Sequence, residues 1–163
     1  MKKLKIFIAC DTTNLAKVKK IINQSKTKKI KIGYKFGLEF MNSKKGRKFV
    51  STLRNEIIFV DLKLNDTVNT MLSAVKALKD LKINYLTVHV SSGLAALRAV
   101  KKVSGLTKIV GVTTLTSLNN KDLKLIGYSK SVKNLVIHQA KLARQSALDA
   151  LVCSPHEVND VRK

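Results

Sequence analysis

Short runs of β-branched apolar residues recur along the chain, and each is followed by a segment whose apolar residues return every three or four positions. Such alternation predicts parallel strands that are connected by helices. The predicted strands cover residues 6–10, 30–33, 57–63, 85–90, 109–115 and 150–153. The predicted helices cover roughly residues 14–24, 38–53, 66–81, 93–103 and a longer region that ends near 147. The chain therefore reads as five βα units, a sixth strand and the start of a helix.

Two architectures fit this alternation, an open doubly wound sheet and a closed (β/α)8 barrel. No Gly-x-Gly-x-x-Gly sequence follows the first predicted strand, which argues against a dinucleotide-binding sheet. Polar residues end almost every predicted strand, as in barrels, whose chemistry lies at the carboxyl ends of the strands. These residues are Asp11, Lys31, Asp61, Lys63, His89, Thr116 and Ser154. A barrel needs eight strands, however, and six are predicted, so the pattern alone leaves both architectures open.

The most informative stretch is an apolar run at 57–60 that leads directly into Asp61, Lys63 and Asp66. Residues two apart on a strand share one face, so Asp61 and Lys63 are expected side by side. Carboxylates beside a lysine favour its charged form. The grouping is typical of a catalytic site at a strand end. The alternative is an incidental ion pair where the strand meets a solvated loop.

The net charge of +22 suggests an anionic partner, but the kind of basic residue weakens a nucleic-acid interpretation. Of the 32 basic residues, 27 are Lys, and they are spread along the whole chain. Nucleic-acid modules are typically richer in clustered Arg with interleaved aromatic residues. We therefore expect no nucleic-acid partner and attribute the high lysine content to compositional drift. The resulting positive charge still favours the binding of an anionic substrate.

Hydropathy and the two cysteines indicate in which cellular compartment the protein is expected. No apolar run approaches the ~18 residues needed to cross a bilayer, and the run at 6–10 is too short for a signal peptide. We expect no membrane association and a cytoplasmic location. Cys10 and Cys153 lie in apolar runs without metal-ligand spacing, so we predict reduced core residues and no metal site.

Five motifs stand at the ends of predicted strands. They are Ala9-Cys10-Asp11, Lys31-Ile32-Gly33, the stretch 61–66 with Asn69-Thr70, the stretch 112–117, and the stretch 152–155. In order and spacing they resemble the A-x-D, K-x-G, DxKxxD…NT, VTxLTS and sixth-strand motifs of the orotidine 5′-phosphate decarboxylase family. The resemblance implies a (β/α)8 barrel. We therefore predict a single barrel-type domain over residues 1–163 that lacks strands 7 and 8.

The resemblance also implies an activity, the decarboxylation of orotidine 5′-phosphate to UMP in de novo pyrimidine biosynthesis. It implies a carboxy-lyase that uses no cofactor and works as a homodimer. Lys63 would donate a proton to C6 of the pyrimidine, and Asp61, hydrogen-bonded to Lys31, would face the substrate carboxylate. Asp66 would complete the network from across the dimer interface. The implied substrate-binding residues are Asp11 and Lys31 at the ribose, Thr67 and Thr70 at the ribose and phosphate, and Thr116 and Ser117 at the pyrimidine.

The chemistry gives these roles a physical reason. Loss of CO₂ leaves a carbanion that no cofactor delocalises, so a fixed ammonium has to stabilise it and protonate it.

Two alternatives remain. Metal-dependent sugar-phosphate enzymes of the same superfamily, hexulose-phosphate synthase and ketogulonate-phosphate decarboxylase, share the DxKxxD pattern. They carry a metal-ligating Glu on the second strand, where this chain is predicted to have Lys31, and a cation would repel Mg²⁺. The other alternative is a non-catalytic basic protein that binds nucleic acid.

The sequence departs from the family at two places. Thr67-Val68 stands where Ile-Pro is usual. The family's phosphate-binding residues follow strands 7 and 8, so we expect the chain as given to be weakly active or inactive.

Overall fold

The computed structural model describes residues 5–162. The strands are β1 (Lys5–Ala9), β2 (Lys31–Gly37), β3 (Ile57–Leu64), β4 (Tyr85–His89), β5 (Lys108–Val112) and β6 (Ala150–Val152). The helices are α1 (Leu15–Gln24), α2 (Leu38–Met41), α3 (Gly46–Val50), α4 (Val68–Ala77), α5 (Gly93–Val103), α6 (Asn120–Leu125), α7 (Val132–Gln145) and α8 (Val158–Arg162). Short 3₁₀ turns cover Lys79–Leu81, Val90–Ser92 and Pro155–Glu157. All six predicted strands are present, although β2 continues past the predicted end at 33 to Gly37, and β5 ends at Val112 and not at 115.

The strand order distinguishes the two predicted architectures. The strands follow one another in the order β1-β2-β3-β4-β5-β6. The pairs β1/β2, β2/β3 and β5/β6 are parallel. A doubly wound sheet reverses its strand order at a switch point, whereas a barrel keeps the order of the sequence. The chain therefore has the barrel-type fold and forms six of its strands.

Two helical regions differ from the prediction. The region 38–53 contains the two short helices α2 and α3, and the long region after β5 contains α6 and α7. Asn119 and Asp122 form a capping box that starts α6, and Ser131 caps α7. Gly127, at φ +91°, lies between the two helices. A glycine with positive φ commonly ends a helix, even where apolar residues continue at helical spacing beyond it.

The chain divides into two compact units, and residues 5–62 with Ala77–Leu86 form the first. It contains an aromatic cluster of the partly buried residues Phe7, Phe59 and Tyr85, with ring centroids 5.1 to 5.7 Å apart. Gly33 makes room for this cluster, because a Cβ on it would lie 2.6 Å from the ring of Phe7. The expectation of one domain over residues 1–163 stays a prediction.

Residues 63–76 and 87–163 form the second unit, whose core includes Leu97, Ile109 and Val136. The carboxylate of Asp149 stabilises it from the start of β6. Its Oδ2 accepts the backbone N–H of Ile109 at 2.8 Å and lies 2.5 Å from Nζ of Lys101. One side chain thereby links α5, β5 and β6. Within residues 5–162 no helix is long and apolar enough to cross a bilayer.

Candidate active site

Lys35 lies between two carboxylates at the carboxyl ends of the first three strands. Its Nζ donates a hydrogen bond to Oδ2 of Asp61 at 3.2 Å, and it lies 3.7 Å from Oδ2 of Asp11. Strand register produces this grouping, since Ala9 is paired with Lys35 and Gly37 with Asp61. The side chain of Asp61 is only 11% exposed, so the ammonium compensates a largely desolvated charge.

The prediction that Lys31 is the partner of Asp61 is wrong. Lys31 is the first residue of β2, is exposed, and pairs with Lys5 at the opposite end of the strand. Four residues of strand separate it from Lys35, which is ~13 Å at the rise of a β-strand. The lysine beside Asp61 is therefore Lys35 and not Lys31.

The predicted strand ends at Gly33, whereas β2 continues through Tyr34 and Phe36 to Gly37. Lys35-Phe36-Gly37 repeats the K-x-G spacing of Lys31-Ile32-Gly33 four residues later. Gly37 also has a local reason to lack a side chain, because a Cβ there would lie 3.1 Å from Oδ1 of Asp11. The second K-x-G was the available signal.

Lys63 has an unusual backbone conformation within β3. Its φ is +49°, in the left-handed region. The other non-glycine residues with positive φ in residues 5–162 are Lys82 and Ala147, which follow a 3₁₀ turn and α7. Left-handed residues are common at helix ends and rare within strands. Such a backbone conformation costs on the order of 1–3 kcal/mol, and it persists only where the surrounding structure enforces it.

The surroundings of Lys63 include a side-chain acceptor for its amide. The N–H of Lys63 donates to Oγ1 of Thr87 at 2.8 Å, and Thr87 in β4 is completely buried. Because a left-handed residue interrupts the two-residue alternation of a strand, spacing does not fix where the Lys63 side chain points. The expected shared face of Asp61 and Lys63 stays a prediction.

Asp66, Thr67 and Thr70 form the entrance to α4. Oδ1 of Asp66 accepts the N–H of Thr67 at 2.7 Å, and the carbonyl of Thr67 accepts the N–H of Met71 at 3.0 Å. The hydroxyls of Thr67 and Thr70 are 3.1 Å apart. All three predicted site residues are exposed, so their polar atoms are accessible to a ligand. The contribution of Asp66 across a dimer interface stays a prediction.

Thr116 and Ser117 lie in the exposed loop that follows β5. The loop is anchored just before them. The hydroxyl of Thr113 donates to the carbonyl of Val152 at 2.9 Å, and the hydroxyl of Thr114 donates to Oε1 of Gln139 at 3.1 Å. Gln139 is buried, 6% exposed, on α7. Gln139 is not among the predicted site residues, although a polar residue in the apolar stripe of a helix is a usable signal.

Neither cysteine has the character of a nucleophile. Cys10 is completely buried, which confirms it as a core residue. Burial, with a smaller contribution from the charge of Asp11, raises the pKa of its thiol to about 11 against the opposing effect of Lys35. Burial, assisted by Glu157, also raises the pKa of Cys153, which is partly exposed. A raised pKa lowers the thiolate fraction on which reactivity depends.

Comparisons with known proteins extend these observations. The model of the orotidine 5′-phosphate decarboxylase / HUMPS family matches residues 4–163. The orotidine 5′-phosphate decarboxylase of Sphingopyxis alaskensis is 42% identical over 134 residues, which are 80% of this chain and 59% of that protein. The orotidine 5′-phosphate decarboxylase of Wolbachia sp. subsp. Brugia malayi is 40% identical over 163 residues, 96% of this chain and 70% of its own. The chain thus spans part of the length of these relatives.

A solved structure shares the fold. The crystal structure of orotidine 5′-phosphate decarboxylase from Lactobacillus acidophilus superposes with a TM-score of 0.83 at 29% identity. The match covers 97% of this chain and 75% of that one. The predicted barrel fold and the predicted family resemblance are both confirmed.

Proposed function

Because the chain belongs to the orotidine 5′-phosphate decarboxylase / HUMPS family, we propose that the protein decarboxylates orotidine 5′-phosphate to UMP. It would act as a carboxy-lyase of pyrimidine biosynthesis in the cytoplasm. The observation that carries the proposal is the cluster of Lys35 with Asp61 and Asp11, at 3.2 and 3.7 Å. An ammonium held between two carboxylates at strand ends fits a reaction in which a carboxylate leaves and negative charge develops.

In this reaction the bond between C6 and the carboxyl carbon breaks, and its electron pair stays on C6. The ammonium of Lys63 gives a proton to C6, and Lys63 then regains one from solvent. Asp61, held by Lys35, lies against the substrate carboxylate and raises the energy of the bound substrate relative to the transition state. No electron acceptor is required, since the pair on C6 is captured by the proton.

The other site residues take roles in binding. Asp11 and Lys35 hold the ribose hydroxyls, and Thr116 and Ser117 contact the pyrimidine. Thr67 and Thr70 reach the ribose and phosphate of the partner's substrate in a homodimer, and Asp66 completes the partner's network. The exposure of these last three residues and the cap geometry of Thr67 support this arrangement.

Lys35 also weighs against the metal-dependent sugar-phosphate enzymes of the superfamily. Its ammonium already neutralises one of the two carboxylates in the cluster. A divalent cation brought to the same carboxylates would meet this fixed positive charge. The cofactor-free reaction is therefore favoured.

The test uses the full-length protein with orotidine 5′-phosphate in D₂O. We expect UMP that carries deuterium at C6, because the proton comes from an exchangeable ammonium. Lys63→Met should lower kcat at least about 10³-fold, the scale of a lost proton donor and charge. Lys82→Met is the matched control, since Lys82 is exposed and has the same φ of +49°. Absence of UMP, or full turnover by Lys63→Met, would contradict the proposed function.

A further inference from the structure

We infer that Thr87 is a positioning residue for Lys63, and that its hydroxyl holds the Lys63 backbone in the conformation that places the ammonium for catalysis. The inference rests on the proposed function, because it assigns a cause to the position of the proposed proton donor. It concerns two residues of the same compact unit, joined by one hydrogen bond of 2.8 Å.

The left-handed conformation of Lys63 occurs at an unusual place in the chain. In residues 5–162, Lys82 and Ala147 reach positive φ directly after helical turns, where the chain has to leave the helix. Lys63 reaches it inside β3, where no helix end requires it. Strain of this kind at an interior strand position persists only when neighbouring groups determine it. A specific partner for the Lys63 backbone is therefore expected.

The partner of the Lys63 amide is a buried hydroxyl. Thr87 is the central residue of β4 and is completely buried. A valine would fill the same volume without bringing a polar group into the core. The hydroxyl oxygen instead accepts the N–H of Lys63. Because Lys63 departs from the extended conformation, its N–H cannot take part in the regular hydrogen-bond ladder between strands. Burial shields this hydrogen bond from competing water, so it restrains the backbone more firmly than an exposed one.

The backbone conformation of Lys63 also sets the direction of its side chain. The direction of Cα–Cβ follows from φ and ψ, so a change at Lys63 from the left-handed to the extended region would swing its side chain to another direction. A displacement of ~1 Å at a reacting group can cost about 100-fold in rate. The Thr87 hydroxyl would then act on kcat although it is not assigned any contact with the substrate.

The test compares Thr87→Val with Thr87→Ser in the full-length protein. Valine keeps the shape and removes the acceptor, whereas serine keeps the acceptor. We expect Thr87→Val to lower kcat by about 10- to 100-fold with KM within about threefold of wild type, and Thr87→Ser to recover most of kcat. Should Thr87→Val fail to fold, Thr87→Cys replaces it, because a thiol is a weak acceptor.

Asn84→Ala is the matched control. Oδ1 of Asn84 accepts the N–H of Ile58 at 2.7 Å, so it makes the same kind of contact at the other end of β3. This variant should lose stability and keep kcat. A purely structural role for Thr87 would make the two variants alike. Wild-type kcat in Thr87→Val, or equal losses in Thr87→Val and Thr87→Ser, would overturn the inference.

A second readout separates this inference from the proposed function. Amide hydrogen exchange at Lys63 should be faster in Thr87→Val than in wild type, with exchange at Ile58 unchanged. If the wild type forms no UMP, the proposed function fails, and the exchange rates still decide whether Thr87 restrains Lys63. Unchanged exchange at Lys63 would overturn the inference whatever the activity.

Discussion

Lys35 donates a hydrogen bond to Asp61 across two neighbouring strands, over 3.2 Å. The interaction joins a half-buried ammonium to a carboxylate that is almost removed from solvent. Breaking such a pair leaves the remaining charge without compensation, which costs more than the pair itself contributes. The proposed chemistry and the local stability of the site are therefore expected to depend on the same lysine.

Replacing Lys35 by methionine should affect activity and stability together. We expect Lys35→Met to lower kcat/KM at least about 100-fold, and to reduce the free energy of unfolding by about 1–3 kcal/mol. Lys31→Met, four residues away on the same strand and exposed, should change the free energy of unfolding by no more than about 0.5 kcal/mol. Steady-state kinetics and urea unfolding of both variants check this. Loss of activity in Lys31→Met alone would restore the assignment made from sequence.

The buried amide of Gln139 should control the loop that carries Thr116 and Ser117. Gln139→Met removes the acceptor of the Thr114 hydroxyl at nearly constant volume. We expect KM for orotidine 5′-phosphate to rise about 3- to 10-fold, since one hydrogen bond contributes about 1 kcal/mol. Lys141→Met, an exposed change on the same helix, is the control. An unaltered KM in Gln139→Met would show that the loop does not need this anchor.

Asp149 should make stability depend on pH. Burial alone would raise its pKa, but hydrogen bonds from Lys101 and the Ile109 amide, with the charges of Lys101 and Lys108, hold the pKa below its usual range. A depressed folded-state pKa gives stability that is present above the unfolded-state value of about 3.9 and is lost as pH falls through the folded-state value.

Asp149→Asn keeps an acceptor for Ile109 and removes only the charge. We expect it to be less stable than wild type by about 1 kcal/mol at neutral pH, and the difference to shrink as pH falls below about 3.9. Urea unfolding at a series of pH values measures both curves. A difference that stayed constant down to acid pH would contradict this electrostatic origin.

The two thiols should differ in reactivity. Cys10 combines complete burial with a pKa of about 11, whereas Cys153 is partly exposed. Iodoacetamide near pH 8 should therefore modify Cys153 first and reach Cys10 only when the chain opens. Mass spectrometry of peptides over time gives both rates, and denaturing urea should make them similar. Faster labelling of Cys10 in the folded protein would contradict the burial argument.

The positions of the strands could be predicted from sequence, because β-branched apolar runs separated by helical periods leave few other interpretations. The end of β2 could not. Gly33 is a glycine inside a strand, where it accommodates the ring of Phe7, and glycine is depleted in strands, so the pattern predicts a strand end there. The sequence therefore predicts Lys31 beside Asp61, whereas the structure has Lys35 beside it.

The proposed roles of Thr87 and Gln139 could not be predicted for a different reason. Both are polar residues in otherwise apolar segments, and their hydrogen-bond partners are 24 and 25 residues away in the chain. Local pattern contains no information on such distant pairs. The left-handed backbone of Lys63 is equally invisible in sequence, since lysine has no preference for that region.

Phe7 stands in register with Gly33, and a Cβ on Gly33 would lie 2.6 Å from the Phe7 ring. The two positions consequently share one volume, filled from one side only. A larger side chain at 33 would therefore require a smaller residue at 7 or a displaced Phe7 ring. We expect the two positions to co-vary in this way among related sequences, with a large residue at one and a small residue at the other.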